Sequence, residues 1–383
     1  MNELERLRIG IDKIDRQLLP LFLERMDLCS QVAEYKRGVG MPVLDPVREA
    51  QVLENKMQLL DDDSMQNEVY EFFNSIMTIS RVRQNMLLAN EKERIHCADV
   101  LARAQKRKEN PVVVYFGSEG AYSEEAAIGV FGENCDRFYA KTFEDAFIAL
   151  REQRADYAVL PIENSSTGAI ADVVDLLAEN MYYIVGEIFI PIRHCLMGVK
   201  GADISDIRTV YSHEQAILQS REFLKTLNDV QCETYLSTAL SAKAVAESGD
   251  KTKGAIAARR NADIYGLDIL AEGINSSSEN TTRFAVISIK PEVEKDCNKI
   301  SAMFKLKHES GQLARILTSF ARGGLNLMKL ESRPIPESPF EYRFFVDYTG
   351  NFLDENVRSI TDTAMSEAES FTILGNYKTY GVR

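Results

Sequence analysis

The spacing of apolar residues changes twice along this chain of 383 residues, and each spacing restricts the secondary structure that can form. From residue 4 to residue 35, apolar residues return every three or four positions, as on one face of a helix. After Pro111, short apolar runs alternate with amphipathic stretches. After Pro291, the order becomes strand, helix, strand, strand, helix, strand. The pattern therefore predicts three folding units in series.

The first unit is predicted to be all helical. A second helix is expected over 46–60, because a proline fits the first turn. A third is expected from residue 65 past residue 88, and the pattern allows it to continue through the charged segment 91–108. Two long helices and a short one bury little surface by themselves, so pairing with a second copy of the chain is expected.

The alternation of strands and helices in the second unit predicts an α/β fold with mostly parallel strands. Its expected strands are 112–116, 157–162, 209–211, 254–258 and 284–289, with helices at 142–151 and 215–227. The third unit predicts a small βαββαβ domain. Its expected strands are 300–307, 325–333, 340–348 and 371–374, with helices at 311–322 and 354–368.

Composition and charge disfavour several classes of partner and of site. There are 45 Lys and Arg against 58 Asp and Glu, a net charge of −13, which disfavours nucleic acid or an anionic membrane. The charged N-terminal sequence and the lack of an apolar run of about 20 residues indicate a cytoplasmic protein with no membrane partner. Six scattered cysteines are expected to be reduced. Four histidines stand at no metal-ligand spacing, so no metal site is expected.

Arg25 occupies a position where the first helix should carry an apolar residue. A guanidinium within an apolar stripe needs an anion beside it. At about 100° per residue, Lys36 lies within roughly 20° of the same face, whereas Arg8 lies about 100° away. The alternative is that all three are solvated surface charges.

The first 95 residues resemble the all-helical chorismate mutase family, in which two copies intertwine. The positions that carry the resemblance are Arg8, Arg25, Lys36, Asp45, Arg48, Glu49, Ser80 and Gln84. The resemblance implies that Lys36 and Gln84 donate hydrogen bonds to the ether oxygen of chorismate. It implies that the three arginines hold its carboxylates, with Arg8 supplied by the partner subunit. Glu49 would hold the ring hydroxyl, supported by Asp45 and Ser80.

Polar loops follow three predicted strands of the second unit, at residues 117–123, 163–168 and 212–213. Free N–H groups and hydroxyls at strand ends suit a small anionic ligand. Such residues also act simply as caps and turn formers, which is the alternative interpretation.

Residues 111–290 are similar to prephenate dehydratases in the motifs FGSEGAYS, LPIENSSTGAI, YSHEQAILQ, STALSAKAVA, GAIAARRNADIYGL and NTTRF. The resemblance implies that Thr282 is the principal catalytic residue and that Arg283 binds an anion beside it. It also assigns prephenate-binding positions to Glu163, Asn164, Ser212 and Gln219. His213 is either a general acid or a structural residue at a helix start.

Residues 299–383 resemble an ACT domain, a ferredoxin-like α+β fold that binds amino acids between paired copies. Glu331-Ser332-Arg333-Pro334 matches the phenylalanine-binding motif, whereas Gly311-Gln312-Leu313-Ala314 departs from the usual Gly-Ala-Leu-Val. The resemblance implies a phenylalanine site formed by Gly311, Leu313, Asn326, Leu327, Glu331 and Ser332.

The sequence thus predicts an enzyme of phenylalanine biosynthesis with an isomerase activity and a lyase activity. It would rearrange chorismate to prephenate and convert prephenate to phenylpyruvate, with no metal or cofactor and with feedback inhibition by L-phenylalanine. Expected domains are 1–95, a helical linker 96–110, 111–290 and 299–383, in a homodimer or higher homo-oligomer. The rival interpretations are a two-lobed ligand receptor, an inactive phenylalanine sensor, and a dehydrogenase. No G-x-G-x-x-G follows a predicted strand, which disfavours the last.

Overall fold

The computed structural model describes residues 2–41, 45–60, 62–88, 95–227, 229–277, 279–306, 311–335 and 338–381. Its N-terminal part contains the helices α1 (Glu3–Val39), α2 (Pro46–Met57) and α3 (Gln66–Leu88). The side chains of Asn2 and Glu5 each accept the backbone N–H of the other, which caps the start of α1. The helix ends at Gly40, whose φ of 70° suits glycine.

One side of α1 packs on α3 and the other faces solvent. Met26, Ala33 and Met77 are buried between the two helices. The solvent-facing residues form an apolar stripe, each of them at least 44% exposed: Leu4, Leu7, Ile11, Ile14, Leu18, Leu21, Leu28, Val32 and Tyr35. The predicted helical pattern is therefore present, and its apolar side lies open within one chain.

The remaining elements follow in chain order. The helices are α4 (Ile95–Arg103), α5 (Tyr122–Phe131), α6 (Phe143–Arg151), α7 (Ala171–Asn180), α8 (Glu214–Gln219), α9 (Arg221–Leu224), α10 (Thr238–Ser248), α11 (Arg260–Tyr265), α12 (Gln312–Arg322) and α13 (Glu355–Glu367). The strands are β1 (Val112–Phe116), β2 (Asp136–Ala140), β3 (Tyr157–Asn164), β4 (Gly168–Ala169), β5 (Tyr183–Pro191), β6 (His194–Gly198), β7 (Thr209–Ser212), β8 (Gln231–Thr234), β9 (Lys253–Ala258), β10 (Asp268–Ala271), β11 (Thr281–Ser288), β12 (Lys299–Lys305), β13 (Leu327–Ile335), β14 (Ser338–Thr349), β15 (Ser370–Tyr377) and β16 (Thr379–Tyr380).

The middle of the chain forms two lobes. The first lobe is a sheet in the order β16-β5-β11-β3-β1-β2, with β4 beside β3. Helix α5 packs on one face of this sheet, while α6 and α7 pack on the other. The second lobe is a sheet in the order β10-β6-β9-β7-β8. The chain passes into the second lobe after β5 and returns to the first as β11, so two segments connect the lobes.

Three sequence-based expectations for these units need correction. The strands are mixed in direction, because β11 runs antiparallel to both β3 and β5 after returning from the second lobe. A buried apolar run carries no information about strand direction. The helix expected over 215–227 is divided at Ser220 into α8 and α9. The linker expected to be helical over 96–110 is helical only to Arg103.

Helix α4 belongs to a core instead of bridging two units. Its residues Cys97 and Val100 are buried against the C-terminal sheet and α13. The preceding residues 89–94, through which the third helix was expected to continue, lie outside the described residues.

The C-terminal unit consists of β12 to β15 with α12 and α13. Its strand order is β13-β14-β12-β15 and all pairs are antiparallel, as the βαββαβ pattern predicts. One face is covered by the two helices and by α4. On the other face, Met303, Phe345 and Leu374 pack against Ala178 of α7. Residue Lys307, at the end of the predicted first strand, lies outside the described residues. Among the described residues, no helix combines the length and the apolar character needed to cross a membrane.

Candidate active sites

Thr282 lies at the start of β11, opposite Asn164 at the end of β3. The Nδ2 atom of Asn164 donates a hydrogen bond to Thr282 Oγ1 at 2.9 Å. The Oδ1 atom of Asn164 accepts the backbone N–H groups of Ser166 and Thr167, at 2.9 and 3.2 Å. These backbone donors fix which way the carboxamide points, so its NH₂ group must face Thr282. We call the predicted residues around Thr282 the cleft site.

The threonine hydroxyl is therefore set up as a donor. Thr282 is 93% buried, since only 7% of it is exposed. Because Asn164 already donates to its oxygen, the O–H proton of Thr282 is available to a ligand. Asn164 also donates to Asn280 Oδ1 at 2.8 Å, which holds a second carboxamide beside the pair.

A histidine at the junction of the lobes connects Gln219 to the first lobe. His194 Nε2 lies 3.1 Å from Gln219 Oε1, and its Nδ1 lies 3.2 Å from the hydroxyl of Tyr122 on α5. Burial lowers the pKa of His194 to about 4, although the contact with Gln219 acts in the opposite direction. The ring is therefore neutral at pH 7, and its two nitrogens act as one donor and one acceptor.

An open cleft of about 670 Å³ lies between the lobes beside this histidine. It is lined by Tyr122 and Glu125 of α5 and by Arg193, Arg259 and Arg260, among others. The lining carries three arginines and three acidic residues, Glu125, Glu133 and Asp263, so the cleft offers cations to an anionic small molecule without being basic overall.

Four predicted cleft-site residues are placed differently from Thr282. Ser212 is fully buried and donates to the carbonyl of Ile256 at 2.7 Å, so its hydroxyl supports the second lobe. His213 caps α8, with its Nδ1 accepting the N–H of Gln215. This favours the structural interpretation of His213 over a general acid. Glu163 and Arg283 contact the C-terminal unit, since Glu163 pairs with Lys329 and Arg283 donates to Asp347.

The guanidinium of Arg283 is enclosed by carboxylates. It donates to Glu187 at 2.6 Å, to Asp347 at 2.6 Å and to Glu163 at 3.3 Å, and also to the hydroxyl of Tyr377 at 2.8 Å. Burial alone would lower the pKa of Arg283, but Tyr377, Asp347 and Glu187 raise it above its ordinary value. That Arg283 binds prephenate stays a prediction; in the structure its donors are directed at protein groups.

Two further polar residues, Asn280 and His194, belong to the cleft site and were not predicted from the sequence. Asn280 is 2% exposed, and its Nδ2 has no hydrogen-bond partner among the described residues. It directly precedes the Thr-Thr-Arg-Phe segment, so its position in the motif was a usable signal. His194 has no such signal, since it lies in an apolar strand without a motif.

The second set of predicted residues lies on α1, α2 and α3, and we call it the helix site. Arg25 Nη1 donates to Ser80 Oγ at 2.5 Å, which joins α1 to α3. One turn further along α3, Gln84 is buried, and its Oε1 has no partner within the described part of the chain. Lys36 is half-buried on the same side of α1. Arg25, Ser80 and Gln84 are thus brought together as predicted.

The predicted residues at the start of α2 make contacts within that helix and with α3. Asp45 accepts the backbone N–H of Arg48 at 3.0 Å and so caps the helix. Glu49 forms a salt bridge with Arg81, a residue that sequence analysis missed although it follows Ser80 directly. Arg48 remains exposed and is 3.4 Å from Gln51.

Arg8 is not part of this group within one chain. It is exposed and lies 17 residues before Arg25 on the same helix, about 25 Å along the axis at 1.5 Å per residue. A donor at that distance cannot touch a small ligand held by Arg25.

The predicted phenylalanine residues are distributed over α12 and β13. Gly311 precedes α12 with a φ of 79°, which requires glycine. Leu313 and Leu327 pack on the helix side of the C-terminal sheet. Glu331 points to the other side, 3.1 Å from Lys329 and 3.8 Å from Arg333, whereas Ser332 and Asn326 are exposed. One chain therefore does not gather these six residues around a single point.

No cluster of three His, Cys, Asp or Glu side chains suitable for a metal occurs in the described ranges. The donors gathered in both sites are amides, hydroxyls and cations, which recognise anions and hydroxyl groups instead of metals.

Comparison with known proteins assigns a family to each of the two regions that contain these sites. Residues 7–85 match the family described as chorismate mutase type II, and residues 113–292 match the prephenate dehydratase family. The bifunctional chorismate mutase/prephenate dehydratase of Aquifex aeolicus is 32% identical over 378 residues, which is 98% of each chain.

Two solved structures each resemble 70% of the chain. Prephenate dehydratase from Arthrobacter aurescens in complex with L-Phe has a TM-score of 0.64 and 28% identity, with 89% of that chain covered. A protein described as a novel type of quorum quenching acylase has a TM-score of 0.63 and 30% identity, with 96% of that chain covered. A fold can host more than one chemistry, and the match to the Aquifex protein along the whole chain distinguishes between them.

Proposed function

The chain belongs to the family of bifunctional chorismate mutase/prephenate dehydratases, and from that membership we propose how its residues divide the two reactions. It rearranges chorismate to prephenate and then converts prephenate to phenylpyruvate in phenylalanine biosynthesis. We assign the first reaction to a domain of residues 1–95 and the second to residues 111–290. Residues 96–110 connect them, and residues 299–383 form a regulatory domain.

The rearrangement of chorismate requires no nucleophile, because it is a pericyclic shift. Catalysis comes from holding the compact conformer and from stabilising charge on the ether oxygen. Arg25, Arg48 and the Arg8 of a second copy would hold the two carboxylates. Lys36 and Gln84 would donate to the ether oxygen. The observation that supports this is the buried carboxamide of Gln84 beside the Arg25–Ser80 contact.

In the same site, Glu49 would accept the ring hydroxyl of chorismate. Arg81 would hold the carboxylate of Glu49 in place, and Asp45 would hold the start of α2. Ser80 would orient Arg25. A half turn of the Gln84 carboxamide places its NH₂ group where its oxygen now lies. The NH₂ group can then donate to the ether oxygen of chorismate.

The conversion of prephenate removes a carboxylate and a hydroxyl and gains an aromatic ring. The enzyme must assist the departure of the hydroxyl and hold the carboxylate that is lost. The carrying observation is the orientation of the Asn164 carboxamide, which frees the O–H of Thr282 for donation. Thr282 would hydrogen-bond to the leaving hydroxyl, while Gln219 and the arginines that line the cleft would bind the substrate.

The C-terminal unit would bind L-phenylalanine as a feedback inhibitor. Three features support this: the βαββαβ topology, the Glu331-Ser332-Arg333-Pro334 segment, and the resemblance to the Arthrobacter dehydratase that was solved with L-Phe. Because one chain separates the six predicted residues, we propose that an ACT domain from a second copy completes the phenylalanine site. Gln312, which departs from the usual motif, is buried and so faces the unit's own core.

We also propose that the protein is a cytoplasmic homodimer or a higher homo-oligomer. The exposed apolar stripe of α1 supports this, since nine large apolar side chains in a row favour burial against a second copy. Pairing of two α1 helices would bring the Arg8 of one copy towards the Arg25 of the other.

A coupled assay tests the whole proposal. Protein stripped of metal is given chorismate, and loss of chorismate and formation of phenylpyruvate are followed with and without L-phenylalanine. Both reactions should proceed, and L-phenylalanine should slow the second. Failure to consume both chorismate and added prephenate would refute the proposed roles.

A further inference from the structure

Two pairs of adjacent residues occupy the ends of β3 and β11. Asn164 stands opposite Thr282, and Glu163 stands opposite Arg283. The second pair contacts the C-terminal unit, whereas the first pair lies next to it on each strand and is expected to face the other side of the sheet. Each strand therefore carries one residue of the cleft site and, next to it, one residue that contacts the neighbouring unit. The β3–β11 register is irregular between Arg283 and Phe284, at the same end of the strands.

Arg283 is shared between the two units. Its Nε donates to Glu187 of β5, and its Nη1 donates to Asp347 of β14. Its Nη2 donates to the hydroxyl of Tyr377 in β15. Asp347 also accepts the hydroxyl of Ser301, and the side chain of Arg283 is 7% exposed. A guanidinium with this many directed, buried hydrogen bonds has one preferred orientation.

Glu163 extends this network to the strand that carries the phenylalanine motif. It lies 3.3 Å from Arg283 and 3.1 Å from Lys329 of β13. Lys329 is also 3.1 Å from Glu331, the first residue of the motif. A cavity of about 40 Å³ is lined by Arg283, Lys329 and Glu331. Charged contacts therefore connect β13 to the end of β3.

We propose that Glu163 and Arg283 are positioning residues, through which Lys329 and Glu331 control the hydrogen bond between Asn164 and Thr282. This rests on the proposed roles of Thr282 and of the phenylalanine motif. A ligand that binds the carboxylate of Glu331 weakens the salt bridge between Glu331 and Lys329. The ammonium group of Lys329 then moves towards its other partner, Glu163. Because Glu163 directly precedes Asn164, a shift of its side chain alters the end of β3. A ligand can act at a distance only through such a difference in contacts between two states.

Lys329→Met tests the connection, because it removes the charge and keeps the length of the side chain. The wild-type enzyme should lose dehydratase kcat/KM by about tenfold in saturating L-phenylalanine, within the usual range of allosteric coupling. The variant should lose less than about twofold while still binding labelled L-phenylalanine in equilibrium dialysis. The matched control is Lys305→Met. Lys305 is 25% exposed against 23% for Lys329 and bridges Glu341 and Glu369 of its own unit.

Arg283→Lys tests the positioning role. A residue that positions Thr282 affects the chemical step, so kcat should fall about tenfold with the KM for prephenate changed by less than about twofold. A large rise in KM at unchanged kcat would make Arg283 a substrate ligand and overturn the proposal. Mutase activity of the same variant reports whether it is folded.

The outcomes separate this inference from the functions on which it rests. If Lys329→Met and Lys305→Met are both inhibited like the wild-type enzyme, the connection through Glu163 is refuted and phenylalanine sensing stands. If the wild-type enzyme binds no L-phenylalanine, the sensor proposal and this inference are refuted together.

Discussion

The helix site and the cleft site hold similar kinds of donors in different ways. The cleft site lies within one chain, and its central pair, Asn164 and Thr282, is buried and fixed by backbone hydrogen bonds. The helix site is spread along α1, and its Arg8 is exposed and about 25 Å from Arg25. One chain therefore preorganises the cleft site through its own core, whereas we propose that the helix site depends on association with a second copy.

The largest effect is expected from Thr282→Ala. Loss of the hydroxyl removes the donor for the leaving group, and dehydratase turnover should fall at least a thousandfold, while mutase turnover stays within about twofold. Direct assays with prephenate and with chorismate measure the two. Thr281→Ala is the matched control, since the Thr281 hydroxyl contacts the carbonyl of Glu279. Parallel loss of both activities would show misfolding and would erase the contrast between the sites.

Lys36→Ala should have the next largest effect. It should lower the mutase activity instead of the dehydratase activity. Removing one donor to the ether oxygen should lower mutase turnover by at least a hundredfold and leave the dehydratase unchanged. The adjacent Arg37→Ala, exposed on the same helix, is the control. Near-normal mutase kinetics for Lys36→Ala would remove this residue from the helix site.

Mixing of subunits should distinguish the sites directly. Arg8→Ala and Lys36→Ala protomers are unfolded together and refolded in equal amounts. If Arg8 serves the other copy, half of the dimers are mixed and each has one intact helix site, so about a quarter of wild-type mutase activity should return. The same mixing of Thr282→Ala with Gln219→Ala should restore no dehydratase activity beyond the sum of the two. If dehydratase activity returned in this mixture, one cleft site would contain residues from two chains.

Acid should affect the two sites unequally, and this is the smallest expected effect. Burial lowers the pKa of His194 from 6.5 to about 4. Between those values the unfolded chain binds a proton that the folded chain does not, so stability falls as the pH is lowered from about 6.5 towards 4. The loss is at most about 1.4 kcal/mol per pH unit. Residues 2–88 contain no histidine.

The measurement is the urea midpoint for loss of dehydratase activity at pH 7 and pH 5, at one protein concentration. His194→Gln should reduce the difference between the two midpoints. His213→Gln, at the exposed cap of α8, is the control and should keep the difference. An unchanged difference in His194→Gln would assign the acid sensitivity to other groups.

Local patterns in the sequence predicted most elements of the fold. Strand β1 has the predicted bounds, and α6 begins one residue after its predicted start, because Thr142 is the cap of that helix. The direction of β11 could not be predicted, since it depends on a return from the second lobe that no local pattern encodes. The division at Ser220 was likewise hidden, because α8 and α9 together retain an amphipathic pattern.

The same limit applies to the candidate sites. Motifs found Thr282, Asn164, Arg25 and Ser80, and the structure brings each pair into contact. They could not show which way Arg283 points, because adjacent strand residues face opposite sides and only the fold decides which side meets the C-terminal unit. Docking of the C-terminal unit supplied the carboxylate of Asp347 that occupies Arg283.

Strand β16 has a consequence for how the C-terminal unit can move. The chain leaves the C-terminal unit after β15. Thr379 and Tyr380 then join the first-lobe sheet beside β5, and Thr379 also contacts Glu187. At its other end, the unit follows β11 of the same sheet through the connection 289–298. A body tethered to one neighbour by both of its ends has no free hinge. Any ligand signal from it should therefore travel as a small sliding or twisting of packed strands, and trimming the last five residues should loosen that constraint before it disturbs either reaction.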